Sequence, residues 1–411
     1  MFNDIAPILA ALKRGRLGAG LLVLQIALTL AIVGNIVFLI GTHTAHLSRP
    51  TGVDEPDLFA LGYLLDNPGS AHGQREADLA ALRRLPAVTD AVATNSYPLR
   101  GSGWVEGISL HPGARDIQAQ QGNVDLYTFD ERGVATLGLR LIEGRDFRQD
   151  DITDGSYNRA PLPPVVLITR SIAERLFPGR SALGQTIYLT PEPDHPLRVV
   201  GILDRLQTHD AANTTDTATA EDSVVLPLRD HGPRGLYLVR AKPGQLAAAM
   251  TAAGAALREA NPQRTFGKLR PLSEIRATAY ERDRAMAISL TIICAILVFV
   301  TALDIVGLTG FWVERRKRQI GIRRALGATR TGVIRYFLIE NAMLCGAGVI
   351  VGAAAAWALN YALGLRYGVP PLPLWMIAAS AIAILTLGQA SASFPSTRAA
   401  RIDPAKAIRA C

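Results

Sequence analysis

LGAGLLVLQIALTLAIVGNIVFLIG, from Leu17 to Gly41, runs 25 residues without a charge. The hydrocarbon core of a bilayer takes about 20 helical residues, so this run is long enough to cross it with some tilt. A secretory signal peptide would share the basic lead of Lys13, Arg14 and Arg16. Its apolar part would be shorter, about 7–15 residues, and would end at a small-x-small cleavage site. This run is longer and passes into His43-Thr44-Ala45-His46, which reads as an uncleaved span. Three further runs lie toward the C-terminus. Ala285–Val313 is apolar apart from Asp304, Tyr336–Leu365 apart from Glu340 near its start, and Leu372–Phe394 has no charge. Pro370, Pro371 and Pro373 separate the last two, where a helix cannot continue.

Charge sets the direction. Short cytoplasmic flanks collect Lys and Arg. Residues 1–16 carry three basic groups against one acid, and residues 314–335 carry eight against one. The tail from Pro395 adds Arg398, Arg401, Lys406 and Arg409 against Asp403, whereas the loop after the third run has only Arg366. Four spans with both termini inside satisfy every flank. The basic excess of 43 Lys+Arg over 35 Asp+Glu therefore belongs to the ends. Residues 43–284 lean acidic, with 27 basic and 30 acidic groups. A basic stripe on a soluble domain would suggest nucleic acid; basic groups beside apolar runs indicate a membrane instead.

The expected fold is a membrane protein of four transmembrane α-helices, with a large α/β extracytoplasmic domain inserted between the first and second. Its parts are a cytoplasmic segment 1–16, span 17–41, an external domain with helical stalks 42–284, span 285–313, a cytoplasmic coupling segment 314–335, span 336–365, a short loop 366–371, span 372–394 and a cytoplasmic tail 395–411. With 49% apolar and 19% charged residues in 411, the chain is neither disordered nor a disulfide scaffold. Cys294 and Cys345 fall in spans and Cys411 is the last residue, so the external domain is held by its own core.

Within that domain the pattern predicts strands at Val165–Thr169, Thr186–Leu189, Arg198–Leu203, Ser223–Leu228 and Leu236–Ala241. Helices are predicted at Gln74–Leu85, Ser171–Phe177 and Gln245–Ala260. We expect two subdomains, one built from the two ends of the segment and the other inserted within it. Thr208–Glu221 reads as a polar loop. Catalytic signals are missing: there is no G-x-x-x-x-G-K-[ST] phosphate loop, no H-E-x-x-H and no G-x-S-x-G. His43 and His46 share a helix face, but two imidazoles without a third ligand make a poor metal site. No enzyme activity, metal or cofactor is expected of this chain.

From Ser273 to Arg316 there is no proline and the only glycines are Gly307 and Gly310. A single helix over that length would reach about 66 Å, well beyond a hydrocarbon core of about 30 Å. We expect a stiff rod able to carry displacement across the membrane. After it, Gln319-Ile320-Gly321-Ile322-Arg323-Arg324-Ala325-Leu326-Gly327 reads as a short amphipathic helix along the inner surface, fit to dock into a partner's groove. Gly348 and Gly352 form a G-x-x-x-G that lets helices approach closely, for packing or dimerisation. Asp304 is costly at membrane depth unless paired. No Lys or Arg lies at similar depth, so we expect a packing or interface role, in a polar seam with Thr301 and Thr309, rather than an ion pathway.

At these residues the chain resembles the permease subunits of the MacB/FtsX class of ABC transporters. Lys317–Ala328, KRQIGIRRALGA, is similar to the family's R-x-R-E-I-G-I-R-x-A-L-G-A, with Gln319 where the family usually has Glu. Pro395–Arg409 is similar to P-x-x-R-A-A-x-x-[DN]-P-x-x-A-[LI]-R. Gly138-Leu139, Gly144–Phe147, Ile168–Gly179, Gly184-Gln185 and Val199–Gly201 resemble the family's external domain. The resemblance implies a non-enzymatic subunit of the bacterial inner membrane with its large domain periplasmic. It implies docking of a cytoplasmic ABC ATPase on Gln319–Gly327, so that ATP is bound by that partner. The other implied partners are a second permease subunit, in a homo- or heterodimer, and membrane lipid, with a periplasmic adaptor as a further candidate. ATP-driven closure would move the stalks and drive extrusion of a periplasmic substrate or, as an alternative, control an external partner without moving solute. With 16 residues ahead of the first span, the ATPase is expected on a separate chain.

Overall fold

The computed structural model describes residues 16–64, 71–114, 120–155, 162–190, 192–214, 219–230, 234–262 and 265–401. The expected segment ahead of residue 16 and the C-terminal motif beyond Arg401 lie outside the described residues. The α-helices are α1 (Arg16–Ser48), α2 (Ala71–Arg83), α3 (Gly133–Leu137), α4 (Arg170–Leu176), α5 (Leu246–Ala260), α6 (Leu272–Ala279), α7 (Glu281–Arg315), α8 (Lys317–Ala325), α9 (Arg330–Tyr367) and α10 (Leu374–Ala400). Contacts divide the chain into two compact units, Ser48–Arg282 and Met1–Leu47 with Asp283–Cys411.

The Ser48–Arg282 unit holds two main sheets. In the first, Thr265–Phe266, Leu58–Leu64, Arg234–Ala241 and Val88–Thr94 lie side by side, all antiparallel, with Arg270–Pro271 also on Leu58–Leu64. Alternate residues Phe59, Leu61 and Tyr63 face one side, as strand geometry requires. They pack with Leu79 and Leu82 of α2 and with Ala249, Ala253 and Leu257 of α5. Tyr63 and Tyr237 stack at 4.5 Å, and the Tyr237 hydroxyl donates to Asp78 Oδ2 at 2.6 Å.

The second sheet uses strands between residues 104 and 226, so it is inserted within the segment that supplies the first. Its order is Leu141–Gly144, Glu192–Leu203, Val165–Thr169, Ser223–Leu226, Asn123–Thr128, Trp104–Ser109 and Thr186–Leu189. Glu192–Leu203 is 12 residues long. Its first half pairs with Thr186–Leu189 and its second with Val165–Thr169, which bends the sheet round onto itself. Ile108, Leu126, Val166, Ile168, Leu197 and Val224 fill the interior, together with Ile172 and Leu176 of α4.

One polar pair sits beside this core. Asp125 Oδ2 accepts the His209 backbone N–H at 2.5 Å and lies 2.6 Å from His209 Nδ1. The hydrogen bond to Asp125 holds the His209 pKa above its ordinary range, against burial, which lowers it. A raised histidine stabilises the fold fully below its unfolded value, near 6.5, and that contribution fades as pH rises through the folded value. The melting midpoint is therefore expected to fall from pH 6 to pH 8.5. His209→Asn should remove most of that fall, and an unchanged slope in the variant would remove the assignment.

In the other unit, α1, α7, α9 and α10 are each long and apolar enough to cross a membrane. The most apolar window of α1 is 56% buried, against 11% for α7 and α10, so α1 is the central helix of the four. Leu22, Ile26 and Leu30 recur at helical spacing on α1 and pack with Ile305, Leu344 and Ile384 from the other three. Thr29 and Thr301 share a hydrogen bond at 2.8 Å, and Asn35 Nδ2 donates to Ala356 O at 3.0 Å. His43 Nδ1 lies 2.7 Å from Asp283 Oδ1, and His46 Nδ1 4.0 Å from Oδ2, tying α1 to α7.

The single rod expected from Ser273 to Arg316 is interrupted. Tyr280, at φ −97° and ψ 12°, separates α6 from α7. Its ring is buried, with the Arg276 guanidinium 5.8 Å from the ring centroid. The helix α10 continues past the expected span, through Pro395 to Ala400.

Candidate functional site

The candidate docking segment is built from both ends. α7 stops at Arg315, and the chain turns at Arg316, φ −102° and ψ 8°, into α8. Arg316 Nη1 donates to both oxygens of Glu340 on α9, at 2.9 and 2.8 Å, and Glu340 is buried. Beyond α8, Gly327 takes φ +95°, a conformation that side chains disfavour, and turns the chain back. Thr329 Oγ1 then accepts the Gly332 N–H at 3.1 Å and caps the start of α9.

α8 is also anchored from beneath. Ile320 is 6% exposed and packs with Val313 of α7, Val333 and Phe337 of α9, and Ala399 and Ala400 of α10. Ile320 and the buried Gly321 therefore hold α8 down, where the sequence placed them on the docking face. The outward side carries Ile322, 44% exposed, and Leu326, 83% exposed, beside exposed Gln319 and Ala325 and the half-buried Arg324. Arg323 falls on the same helix. Arg316 and Glu340 were not singled out from the sequence. The available signal was an acid at the start of an apolar run, which needs a partner there, with a cluster of arginines at residues 315–318, 24 residues upstream in the case of Arg316.

The other expected site residues separate. Asp304 is exposed on α7, whereas Thr301 and Thr309 are buried, so it does not share their seam. Thr301 finds Thr29 instead. Gly348 and Gly352 pack α9 against α1 within the chain. A Cβ on Gly348 would sit 2.8 Å from Ile26 Cβ, and one on Gly352 2.8 Å from Ala27 O. Among the described residues no group of three His, Cys, Asp or Glu is arranged to hold a metal ion.

Residues 17–258 match the family of the MacB-like periplasmic core domain, and residues 291–404 match the FtsX-like permease C-terminal family. The chain belongs to the MacB/FtsX family of ABC transporter permeases. It is a membrane protein with a MacB-like periplasmic core. The second match spans most of α7 and all of α8 and α9, so the permease's candidate docking helix lies inside the FtsX-like segment.

Three relatives show the range. The permease is 28% identical over 341 residues to the "Macrolide export ATP-binding/permease protein MacB 1/2" of Paracoccus denitrificans, covering 81% of this chain and 47% of the relative. It is 25% identical over 405 residues to the "Macrolide export ATP-binding/permease protein MacB" of Sodalis glossinidius, covering 92% and 58%. It is 22% identical over 349 residues to the "Uncharacterized ABC transporter permease YknZ" of Bacillus subtilis, covering 84% and 82%. The permease thus spans about half the length of its macrolide-export relatives.

Proposed function

We propose that this permease couples ATP hydrolysis by a separate cytoplasmic ABC ATPase to movement of the Ser48–Arg282 unit, placed between the first and second spans on the periplasmic side, and so exports or extrudes a periplasmic substrate. The observation that carries the proposal is α8. It is pinned by Arg316–Glu340 and the Thr329 cap and seated on Ile320, yet it presents Ile322 and Leu326 outward. Two large apolar side chains held on a rigid, basic helix suit a groove on a partner. A helix fixed at both ends passes a push into α7 and α9 rather than absorbing it. The charge bias of the flanks supports both termini on the cytoplasmic side. A second permease subunit completes the complex, and an adaptor in the periplasm is a further partner.

The test is capture of the ATPase. The permease is tagged, expressed in its native host and purified in mild detergent, and bound chains are identified by mass spectrometry. Leu326→Asp is expected to reduce recovery of the ATPase at least about tenfold, the effect of about 1.4 kcal/mol, with Ile322→Asp acting in the same direction. Both positions are exposed, so the protomer should fold and its melting midpoint should hold. Full recovery of an ATPase with both variants would place docking elsewhere.

A further inference from the structure

A cavity of about 190 Å³ in the Ser48–Arg282 unit is lined by Tyr97, Arg100, His209, Asp210, Arg270 and Thr278, among others. Two loops and α6 build it. Leu99 N donates to Thr208 O at 3.3 Å and Gly101 N to His209 O at 2.8 Å, zipping the loops together. Leu99 is held at φ +64°, a conformation that costs a branched side chain on the order of 1 kcal/mol and that gathers at ligand sites. Gly103 leaves room for the imidazole, since a Cβ there would lie 2.7 Å from His209 Cγ.

We propose that this cavity binds a phosphate group, with Arg100, Arg270 and His209 as its donors. Arg100 Nη1 is held by the backbone carbonyls of Asn95 and Ser102, and among the described residues it meets no carboxylate. Its guanidinium lies 5.9 Å from the Tyr97 ring centroid. Arg270 reaches the same place from the far wall, bonded to Glu274 at 3.1 Å and Thr278 Oγ1 at 2.8 Å. Both guanidiniums pull the Tyr97 hydroxyl pKa down against the burial that raises it, so their fields overlap inside the cavity. Asp125 occupies His209 Nδ1, which leaves Nε2 as the ring nitrogen available to a ligand. Behind the loop, Arg49 is 8% exposed, donates to Ala211 O at 3.4 Å, and among the described residues has no hydrogen-bond partner for Nη2. That buried charge adds to the positive field. The opposing acids are engaged: Asp210 accepts from Asn213 Nδ2 at 2.6 Å, Asp125 faces His209, and Glu274 holds Arg270. Guanidinium forks match the oxygens of phosphate.

The phosphate has two sources, free inorganic phosphate or a lipid headgroup. The full chain in a neutral detergent is melted across a series of inorganic phosphate concentrations, with chloride holding ionic strength constant. The same chain is melted in nanodiscs of phosphatidylcholine with and without phosphatidylglycerol. Bound ligand raises the midpoint with the logarithm of one plus its concentration over its Kd, so the concentration series reads the affinity. Arg100→Ala, at an exposed position, is expected to weaken the apparent affinity at least about tenfold, as loss of a charged hydrogen bond of about 1.5–3 kcal/mol implies. Arg100→Lys should recover part of it. In the phosphatidylglycerol arm, where the phosphodiester keeps one charge throughout, affinity should fall from pH 6 to pH 8.5 as His209 loses its proton, and His209→Asn should abolish that fall. A rise with inorganic phosphate that depends on Arg100 assigns a free-phosphate site. A rise confined to phosphatidylglycerol, again dependent on Arg100, assigns a headgroup site. No rise in either arm, or a rise indifferent to Arg100→Ala, overturns the proposal. None of these outcomes depends on ATPase docking.

Discussion

Arg316→Ala is expected to destabilise the α7–α10 unit by about 3 kcal/mol, at the lower end of what removing one member of a buried ion pair costs. The lower end applies because the Arg316 side chain keeps 25% exposure while Glu340 keeps 2%. The cost comes from what is left behind, a carboxylate on α9 without its two hydrogen bonds. Replacing both groups, as Arg316→Met with Glu340→Gln, should recover much of the loss, because no unpaired charge then remains buried. Unfolding of the purified chain in mixed micelles reads the difference. The single variant should also capture less ATPase, since α8 loses its upstream pin. A loss under about 1 kcal/mol would mean that the pair is solvated in practice.

Gly352→Leu is expected to cost about 2–3 kcal/mol, the range of overpacking at a tight contact. A Cβ at Gly352 meets Ala27 O at 2.8 Å, Ala27 Cα at 2.9 Å and Leu30 Cβ at 2.9 Å. Two of those three atoms belong to backbone or its Cα, so α1 itself must move. Gly348 is as tight, with Ile26 Cβ and Cγ2 both at 2.8 Å. Gly346, two residues before Gly348 on the same helix, has nothing within 4 Å. Gly346→Ala should therefore be neutral or slightly stabilising through helix propensity. Comparing the three in one unfolding series separates packing inside the chain from packing between chains. If Gly352→Leu changes only the oligomeric state and leaves protomer stability intact, the α1–α9 contact is not what holds the bundle.

Several elements were legible because local pattern and final environment agree. Val165–Thr169 and Thr186–Leu189 appear with the predicted bounds, and α5 begins one residue from the predicted start. Thr186–Leu189 alternates at the strand period, Val165–Thr169 is a continuous apolar run buried throughout, and α5 carries its apolar residues at helical spacing. Asn123–Thr128 and Val88–Thr94 escaped because Asp125 and Asp90 interrupt the apolar alternation. Those acids find His209 and Arg83, partners 84 and 7 residues away. The proposed docking face reads in the sequence as a stretch whose two sides cannot be told apart. Ile320 and Ile322 are both isoleucine, two residues apart, and only the contact with Phe337 and Ala399 makes one an anchor.

Composition and order along the chain were sufficient to establish four apolar helices, the acid-leaning stretch at residues 43–284 and the basic segment at residues 314–335. Those follow from length, hydropathy and charge count, which act locally and additively. Which helix is central, that Glu340 belongs to Arg316, that Gly348 and Gly352 serve α1, and that Tyr280 breaks the rod were decided by tertiary structure. Each depends on a contact between residues whose chemistry is ordinary in isolation, and close packing admits only one of the many pairings that chain order leaves open.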